Sequence, residues 1–141
     1  MPGTGKKFDV SLVTPDGAVY EGEIEMIVVP GQIGEVGVLA RHAPLIATLR
    51  AGSTRIHPGG GAEVVVYATG PGFFQVLNDR AIALVDHAVE ASQIDSAAAR
   101  AQLEAAQAEL EAIERGESTG DRWQVEQRIR HAENQLGVAG G

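Results

Sequence analysis

The sequence predicts a β-sandwich, or flattened antiparallel barrel, followed by a C-terminal αα-hairpin. Before Glu90, glycine and β-branched residues are frequent, and turn residues separate short apolar stretches, which is typical of an all-β unit. After it, alanine, glutamate and glutamine dominate and apolar residues follow helical spacing. The length of 141 residues suits one ordinary domain and a short appendage. We therefore expect a β-domain over 1–90 and a helical hairpin over 91–141.

The β-domain is predicted to begin with a strand from Phe8 to Leu12, in which apolar and polar residues alternate, followed by a turn at Thr14-Pro15-Asp16-Gly17. A longer extended stretch runs from Val19 to Val29, with alternate glutamates on one face. The further candidate strands are 36–39, 45–49, 54–57, 63–69, 73–77 and 81–85. Their spacing predicts a compact antiparallel sandwich.

Two amphipathic helices are predicted in the second part. Asp95 is a plausible N-cap for the first, and Ser118, Thr119 or Asp121 can cap the second after the breaker 116–120. Two short helices bury little apolar area against a large ordering entropy, so the hairpin must rest on the β-domain or on a partner and is able to switch. The apolar stripes are Leu103, Ala106, Leu110 and Ile113 in one helix and Val125, Ile129, Ala132 and Leu136 in the other.

Composition excludes several classes of function. The net charge of -8, with 19 acidic and 11 basic residues, argues against a nucleic-acid partner. The absence of cysteine excludes disulfides and thiolate metal sites. The polar segment Met1 to Lys7 predicts no signal peptide, and apolar runs such as Met26 to Val29 are far shorter than the roughly 20 residues that span a bilayer. Membrane association is therefore expected only through another protein.

No motif predicts a catalytic centre, and we expect no cofactor and no metal. The glycine-rich segment Gly31 to Gly37 lacks the lysine and hydroxyl of a phosphate loop, and the four histidines lack ligand spacing. The pair Asp86-His87 has no nucleophilic partner and is interpreted as a strand-end pair facing solvent. The alternative is a free-standing sandwich that binds a small ligand or a sugar, but this would need an exposed aromatic platform, and aromatics make up only 4% of the chain. A binding or structural subunit is favoured over an enzyme.

A series of short motifs resembles the epsilon subunits of bacterial F-type ATP synthases. Each motif is weak alone, but their order and spacing are highly specific, from Phe8 to about Leu136 and most clearly up to Ala88. The matching segments are Thr14-Pro15, Tyr20-Glu21-Gly22-Glu23, Val28-Val29-Pro30-Gly31, Gly34-Glu35-Val36-Gly37-Val38-Leu39, His42-Ala43-Pro44-Leu45, Leu49-Arg50-Ala51-Gly52, Gly70-Pro71-Gly72-Phe73-Phe74-Gln75-Val76 and Asp86-His87-Ala88.

The resemblance implies a non-catalytic rotor subunit in the central stalk of the proton-translocating enzyme. It implies a sandwich that binds the gamma subunit and the ring of c subunits, and a hairpin that extends into the catalytic α/β hexamer and inhibits ATP hydrolysis. It implies a peripheral position at the cytoplasmic face of the bacterial inner membrane. The family's c-ring contact corresponds to Glu35, His42, Ala43 and Pro44; the alternative is that these loop residues only shape a turn.

The resemblance also assigns candidate residues to the hairpin. Basic residues of the last helix, Arg122, Arg128 and Arg130, are candidates for contacts with acidic groups in the catalytic head, although a solvated helix face is the commoner explanation for any one arginine.

Some relatives bind ATP in the hairpin, and the corresponding motif is degenerate here. Ile94-Asp95 is present, but Ala98 occupies the arginine position, and Arg100 lies two residues beyond. The arginine pair of the last helix aligns with His131 and Gln135. Because the guanidinium groups that would meet phosphate are missing, ATP binding is predicted to be weak or absent.

Overall fold

The computed structural model describes residues 5–140. Residues 1–4 and 141, including the start of the polar segment for which no signal peptide was expected, lie outside the described residues. The chain divides into two compact units between Glu90 and Ala91. The first consists of β-strands and the second of two helices, so the predicted fold class is confirmed.

Within the described residues, the first unit is a single ten-stranded sheet that folds into a sandwich. The main path follows the order β10-β7-β6-β3-β5-β8-β9-β1-β2, and β4 pairs with β3 beside this path. All pairs are antiparallel except β1 with β9. The strands are β1 Phe8–Thr14, β2 Gly17–Ile24, β3 Met26–Gly31, β4 Gly34–Leu39, β5 Leu45–Leu49, β6 Gly52–His57, β7 Val65–Thr69, β8 Gly72–Leu77, β9 Arg80–Val85 and β10 Ala88–Glu90.

The predicted stretch from Val19 to Val29 is wrong as one element, because the chain leaves the β1 ladder at Glu25. There the backbone N–H of Glu25 donates to the carbonyl of His57 at 2.9 Å. The residues before Glu25 pair with β1, and those after it pair with β4 and β6. Alternation continues across the break, so periodicity alone does not reveal the change of partner.

The core of the sandwich consists of the inward-facing side chains of alternate strand residues. Two threonines are fully buried within it, and the hydroxyl oxygens of Thr54 and Thr69 lie 2.9 Å apart. The Thr69 hydroxyl also donates to the carbonyl of Gly52 at 3.4 Å, so these buried polar groups have partners. The largest core residues are Phe8, Leu12, Ile24, Ile27, Leu49, Ile56, Tyr67 and Phe74.

Tyr67 connects two strands that are distant in the sheet order. It lies on β7, and its hydroxyl donates to the carbonyl of Val19 on β2 at 3.3 Å. Burial, followed by the charge of Glu90 and by Tyr20, raises the pKa of Tyr67 above its ordinary value. The protonated hydroxyl is therefore the form that the folded sandwich stabilises.

The raised pKa of Tyr67 predicts a loss of stability at alkaline pH. Below pH 10 both states keep the proton; above it the unfolded chain releases its proton first, so the free energy of unfolding falls as pH rises toward the folded pKa. We expect Tyr67→Phe to lower the free energy of unfolding by about 0.5–1.5 kcal/mol at pH 8. We also expect this variant to lose less stability than the unsubstituted chain as the pH rises. Urea unfolding from pH 8 to 11 measures both. An equally steep fall in Tyr67→Phe would contradict the assignment.

The second unit begins with a 3-10 turn at Ala91–Gln93, followed by α1 (Ser96–Glu114) and α2 (Arg122–Gly140). Asp95 is confirmed as the N-cap of α1, since its carboxylate accepts from the N–H of Ala98 at 3.0 Å. Of the three candidate caps for α2, Asp121 is the one used, because its carboxylate accepts from the N–H of Trp123 at 2.9 Å.

The deeply buried positions of the second unit carry small side chains. They are spaced seven residues apart on each helix, which places each pair on one face. The predicted stripes share this face, but their leucine and isoleucine members are only half-buried. The positions exposed by 1% or less are Ala99, Ala106, Val125 and Ala132.

Candidate functional site

The residues predicted to contact a ring of partner subunits lie at opposite ends of β4. Glu35 is the second residue of the strand, beside the β3–β4 turn. His42, Ala43 and Pro44 follow the other end, in the connection to β5. A strand advances about 3.4 Å per residue, so Glu35 lies about 14 Å from the end of β4 at Leu39. The structure therefore separates these residues into two surfaces.

The surface at the β3–β4 turn combines an apolar tip with fixed charges. Ile33 at the turn is fully exposed. The carboxylate of Glu35 accepts two hydrogen bonds from the guanidinium of Arg55, at 2.8 and 3.3 Å. This hydrogen bonding and the charge of Arg55, with a smaller effect of Arg50, lower the pKa of Glu35. Glu35 is therefore a positioned anion at neutral pH.

The surface after β4 is attached to the turn between β8 and β9. The backbone N–H of Arg41 donates to the carboxylate of Asp79. Asn78 and Asp79 have φ values of 51° and 58°, as a two-residue hairpin turn requires. The ring of His42 donates from Nδ1 to the carbonyl of Ala43 at 2.7 Å. These bonds give the segment a defined shape.

The sheet formed by β5, β8 and β9 exposes large apolar side chains on its outer side. Ile46 is 77% exposed, Phe73 60%, Leu84 51% and Leu77 45%. An open cavity of about 370 Å³ adjoins them. Sequence reasoning identified these strands but missed this surface, because alternation alone does not tell which apolar residues stay uncovered. The cavity is lined by Gln75, Leu77, Asn78, Arg80 and Ile82.

The candidate arginines of the hairpin differ in their contacts. Arg122 forms ion pairs with Glu114 at 3.0 Å and Glu126 at 3.1 Å, and Arg128 pairs with Glu109. No ion pair of Arg130 is present among residues 5–140. The outward side of α2 at this position also carries Trp123, which lies seven residues earlier and is 67% exposed.

The residues of the degenerate nucleotide motif serve the hairpin itself. The carboxylate of Asp95 caps α1, while Ile94 is half-buried and Arg100 is exposed. The two residues at the arginine positions of α2 contact each other, since the amide of Gln135 donates to Nε2 of His131 at 3.2 Å. The structure therefore does not bring a cluster of cations to these positions.

We expect this chain not to bind ATP with micromolar affinity. A site that lacks its phosphate-binding guanidinium groups cannot offset the charge of the nucleotide. Isothermal calorimetry with ATP tests this, and the triple substitution Ala98→Arg, His131→Arg and Gln135→Arg is the matched variant that should gain affinity. Micromolar binding by the unsubstituted chain would contradict the prediction.

The pair Asp86-His87 is a contact at the start of β10. The carboxylate of Asp86 lies 2.6 Å from Nδ1 of His87, and both side chains pack over Gly70. The side chain of His87 is 29% exposed and that of Asp86 59%. Across residues 5–140 there is no group of three histidine, aspartate or glutamate side chains arranged to hold a metal ion. Nor does any described helix combine the length and apolarity needed to span a membrane.

Comparison with known proteins identifies similar sequences. The family model described as ATP synthase, Delta/Epsilon chain, beta-sandwich domain, matches residues 7–91. The ATP synthase epsilon chain of Dichelobacter nodosus is 43% identical over 88 residues, which are 62% of this chain and 61% of the relative. That of Rubrobacter xylanophilus is 37% identical over 142 residues, covering 99% of this chain and 96% of the relative.

A solved structure shows the same fold. It comes from the cryo-EM structure of the Euglena gracilis mitochondrial ATP synthase, described as OSCP/F1/c-ring in rotational state 1. The alignment has a TM-score of 0.76 at 24% identity and covers 99% of this chain and 86% of the other. At this identity the comparison supports the fold alone.

Proposed function

Because the chain belongs to the ATP synthase delta/epsilon family, we propose that it is the non-catalytic rotor subunit of a proton-translocating F-type ATP synthase, which couples gamma to the c ring and inhibits ATP hydrolysis. The observation that carries this proposal is the similarity to the Rubrobacter xylanophilus epsilon chain along both units. If the only role of the chain were to join gamma to the c ring, the sandwich would be sufficient. The similarity also covers the hairpin, which supports a second role for the hairpin in inhibition. The position that follows is peripheral, at the cytoplasmic face of the bacterial inner membrane.

For the sandwich, we assign contact with the c ring to two separate surfaces. One is the turn with exposed Ile33 and the anion of Glu35, which suits a polar partner loop that carries a cation. The other is the segment His42, Ala43 and Pro44, whose shape the bond from Arg41 to Asp79 supports. Glu35→Arg and His42→Asp test the two surfaces independently, since the residues lie at opposite ends of β4.

For the hairpin, Arg130 is the arginine available to an acidic surface of the catalytic α/β hexamer without rearrangement. Arg122 and Arg128 must first leave Glu114 and Glu109. Exposed ion pairs contribute about 0–1 kcal/mol each, so this exchange costs little. All three arginines therefore serve the inhibitory contact, with Arg130 as the first to engage.

The test measures ATPase activity of an α/β/gamma complex from the same source. The full-length chain and a chain that ends at Glu90, where the first unit ends, are each titrated into this complex and their effects on the rate are compared. We expect both to bind gamma and only the full-length chain to slow hydrolysis. Circular dichroism of the shortened chain confirms that its sandwich is folded. If a folded chain of either length neither binds gamma nor changes the rate, the rotor assignment fails and a small-ligand module becomes the better proposal.

A further inference from the structure

The two helices of the second unit differ in charge, and the ion pairs between them follow this difference. The helix α1 has four glutamates and one arginine, whereas α2 has three arginines and two glutamates. The ion pairs that join the helices therefore run from arginines of α2 to glutamates of α1. Within residues 5–140 they are Arg122 with Glu114 and Arg128 with Glu109.

Arg128 depends on Glu109 alone for its ionic partner. The guanidinium of Arg128 donates to the carboxylate of Glu109, and neither side chain forms another ion pair in the part of the chain that the structure describes. Arg122, by contrast, is shared between Glu114 at 3.0 Å and Glu126 of its own helix at 3.1 Å. Removal of Glu109 would therefore leave Arg128 without an ionic partner, whereas Arg122 would keep one if Glu114 were removed.

The pair of Arg128 and Glu109 lies at the surface of the hairpin, where it can exchange partners. The two side chains are 55% and 36% exposed, respectively. Ion pairs with this exposure are weak, because water and dissolved salt screen them and because two long side chains must be held in one geometry. The carboxylate of Glu109 thus binds the guanidinium of Arg128 without burying it. A carboxylate that another protein presents from outside can take its place.

We propose that Glu109 is an internal competitor for Arg128, because its carboxylate occupies the guanidinium that would otherwise bind an acidic side chain of the catalytic α/β hexamer. This inference rests on the inhibitory function proposed above. While the pair is closed, α2 offers Arg130 to the hexamer but withholds Arg128. Binding through a state that is only partly populated is weakened in proportion to that population. The strength of the pair therefore sets the fraction of complexes that are inhibited.

The test measures the steady-state ATPase rate of the α/β/gamma complex at saturating concentrations of the full-length chain. Every complex then carries the chain, so the residual rate gives the ratio of inhibited to active complexes. Glu109→Gln removes the competing charge and keeps the size and the helix propensity of the side chain. We expect this variant to raise the ratio about 2- to 5-fold, which is the range that one exposed ion pair supplies.

Arg128→Gln distinguishes competition from a simple latch, because it breaks the same ion pair from the other side. If the pair only held the two helices together, both variants would release the hairpin and both would inhibit more strongly. If Glu109 competes for Arg128, Arg128→Gln removes the cation that the hexamer needs and lowers the ratio. The double variant should then behave as Arg128→Gln does, since Glu109 acts through Arg128. Stronger inhibition by Arg128→Gln would overturn the proposal.

Glu104→Gln is the matched control, since it changes the net charge of α1 equally. Glu104 is exposed and forms no ion pair within residues 5–140, so this variant should leave the ratio unchanged. An equal rise in both glutamine variants would show that net charge alone matters, and this result or an unchanged ratio in Glu109→Gln would refute the competition.

The unsubstituted chain separates this inference from the function on which it rests. If that chain slows hydrolysis while Glu109→Gln behaves identically, the inhibitory function stands and only the competition fails. If the unsubstituted chain binds gamma without slowing hydrolysis and Glu109→Gln does slow it, the competition is supported in its strongest form. If neither chain slows hydrolysis, although circular dichroism shows that both are folded, the inhibitory function fails together with the competition.

Discussion

Gly72→Ala is expected to lower the free energy of unfolding of the sandwich by about 3–5 kcal/mol, at the upper end of single substitutions. Gly72 pairs with Val85 where β8 and β9 meet. A Cβ atom at this position would lie 1.8 Å from the carbonyl oxygen of Leu84 and 2.8 Å from Cα of Val85. Both are backbone atoms, so relief requires the two strands to separate. Denaturant unfolding followed by far-UV circular dichroism measures the loss.

Gly22→Ala provides the matched control for this effect. Gly22 also lies in a strand, but a Cβ atom there would meet only an atom of Tyr20 at 3.9 Å, which is ordinary contact. Because alanine restricts the unfolded chain more than glycine does, the control should be neutral or more stable by about 0.4–1 kcal/mol. A loss below about 1 kcal/mol for Gly72→Ala would show that the strands adjust, and would contradict the prediction.

Most strands could be predicted from the sequence because turn residues delimit them. The predicted strand at 45–49 coincides with β5, and the turn at Thr14-Pro15-Asp16-Gly17 separates β1 from β2. The errors occur where a strand changes partner rather than ends. At Glu25 the alternation continues while the ladder changes, and β10 is too short to show a period. Which strands pair depends on both segments, so the hydrophobic alternation within one segment does not show which strand it pairs with.

The positions of the candidate contact residues were harder to predict than the fold. The motif resemblance indicated Glu35 and His42 together, but β4 places them at its two ends. The exposed apolar side chains of β5, β8 and β9 gave no separate signal, since Phe73 and the buried Phe74 are neighbours in sequence and differ only in the side of the sheet that they occupy. Which side is covered depends on the sandwich as a whole.

The contacts of charged side chains also required the structure. Three arginines of the last helix were equivalent in sequence, but Arg122 and Arg128 pair with glutamates of α1. The pairing depends on how the two antiparallel helices are aligned, and the length of the breaker between them does not determine that alignment. Asp95, by contrast, was predictable as a cap because capping is local.

The hairpin provides the second prediction of large effect, at the buried position Ala106, which is 1% exposed on α1. Ala106→Leu adds three carbon atoms at this buried position, and overpacking of this kind costs about 1–3 kcal/mol. A pair of short helices has little stability to lose, so this cost is large for the second unit. We expect amide hydrogen exchange to accelerate throughout α1 and α2 while the sandwich keeps its protection.

Ala105→Leu separates this packing effect from any effect on helix propensity. Ala105 neighbours Ala106 on α1 but is exposed, and leucine is nearly as good a helix former as alanine. The control should therefore retain the exchange rates of the unsubstituted chain. With the α/β/gamma complex, Ala106→Leu should change the inhibition of hydrolysis and leave the affinity for gamma unaltered, because the sandwich is intact. Equal exchange rates in the two variants would show that the face of Ala106 tolerates a larger side chain, and that small residues there do not limit the packing of the hairpin.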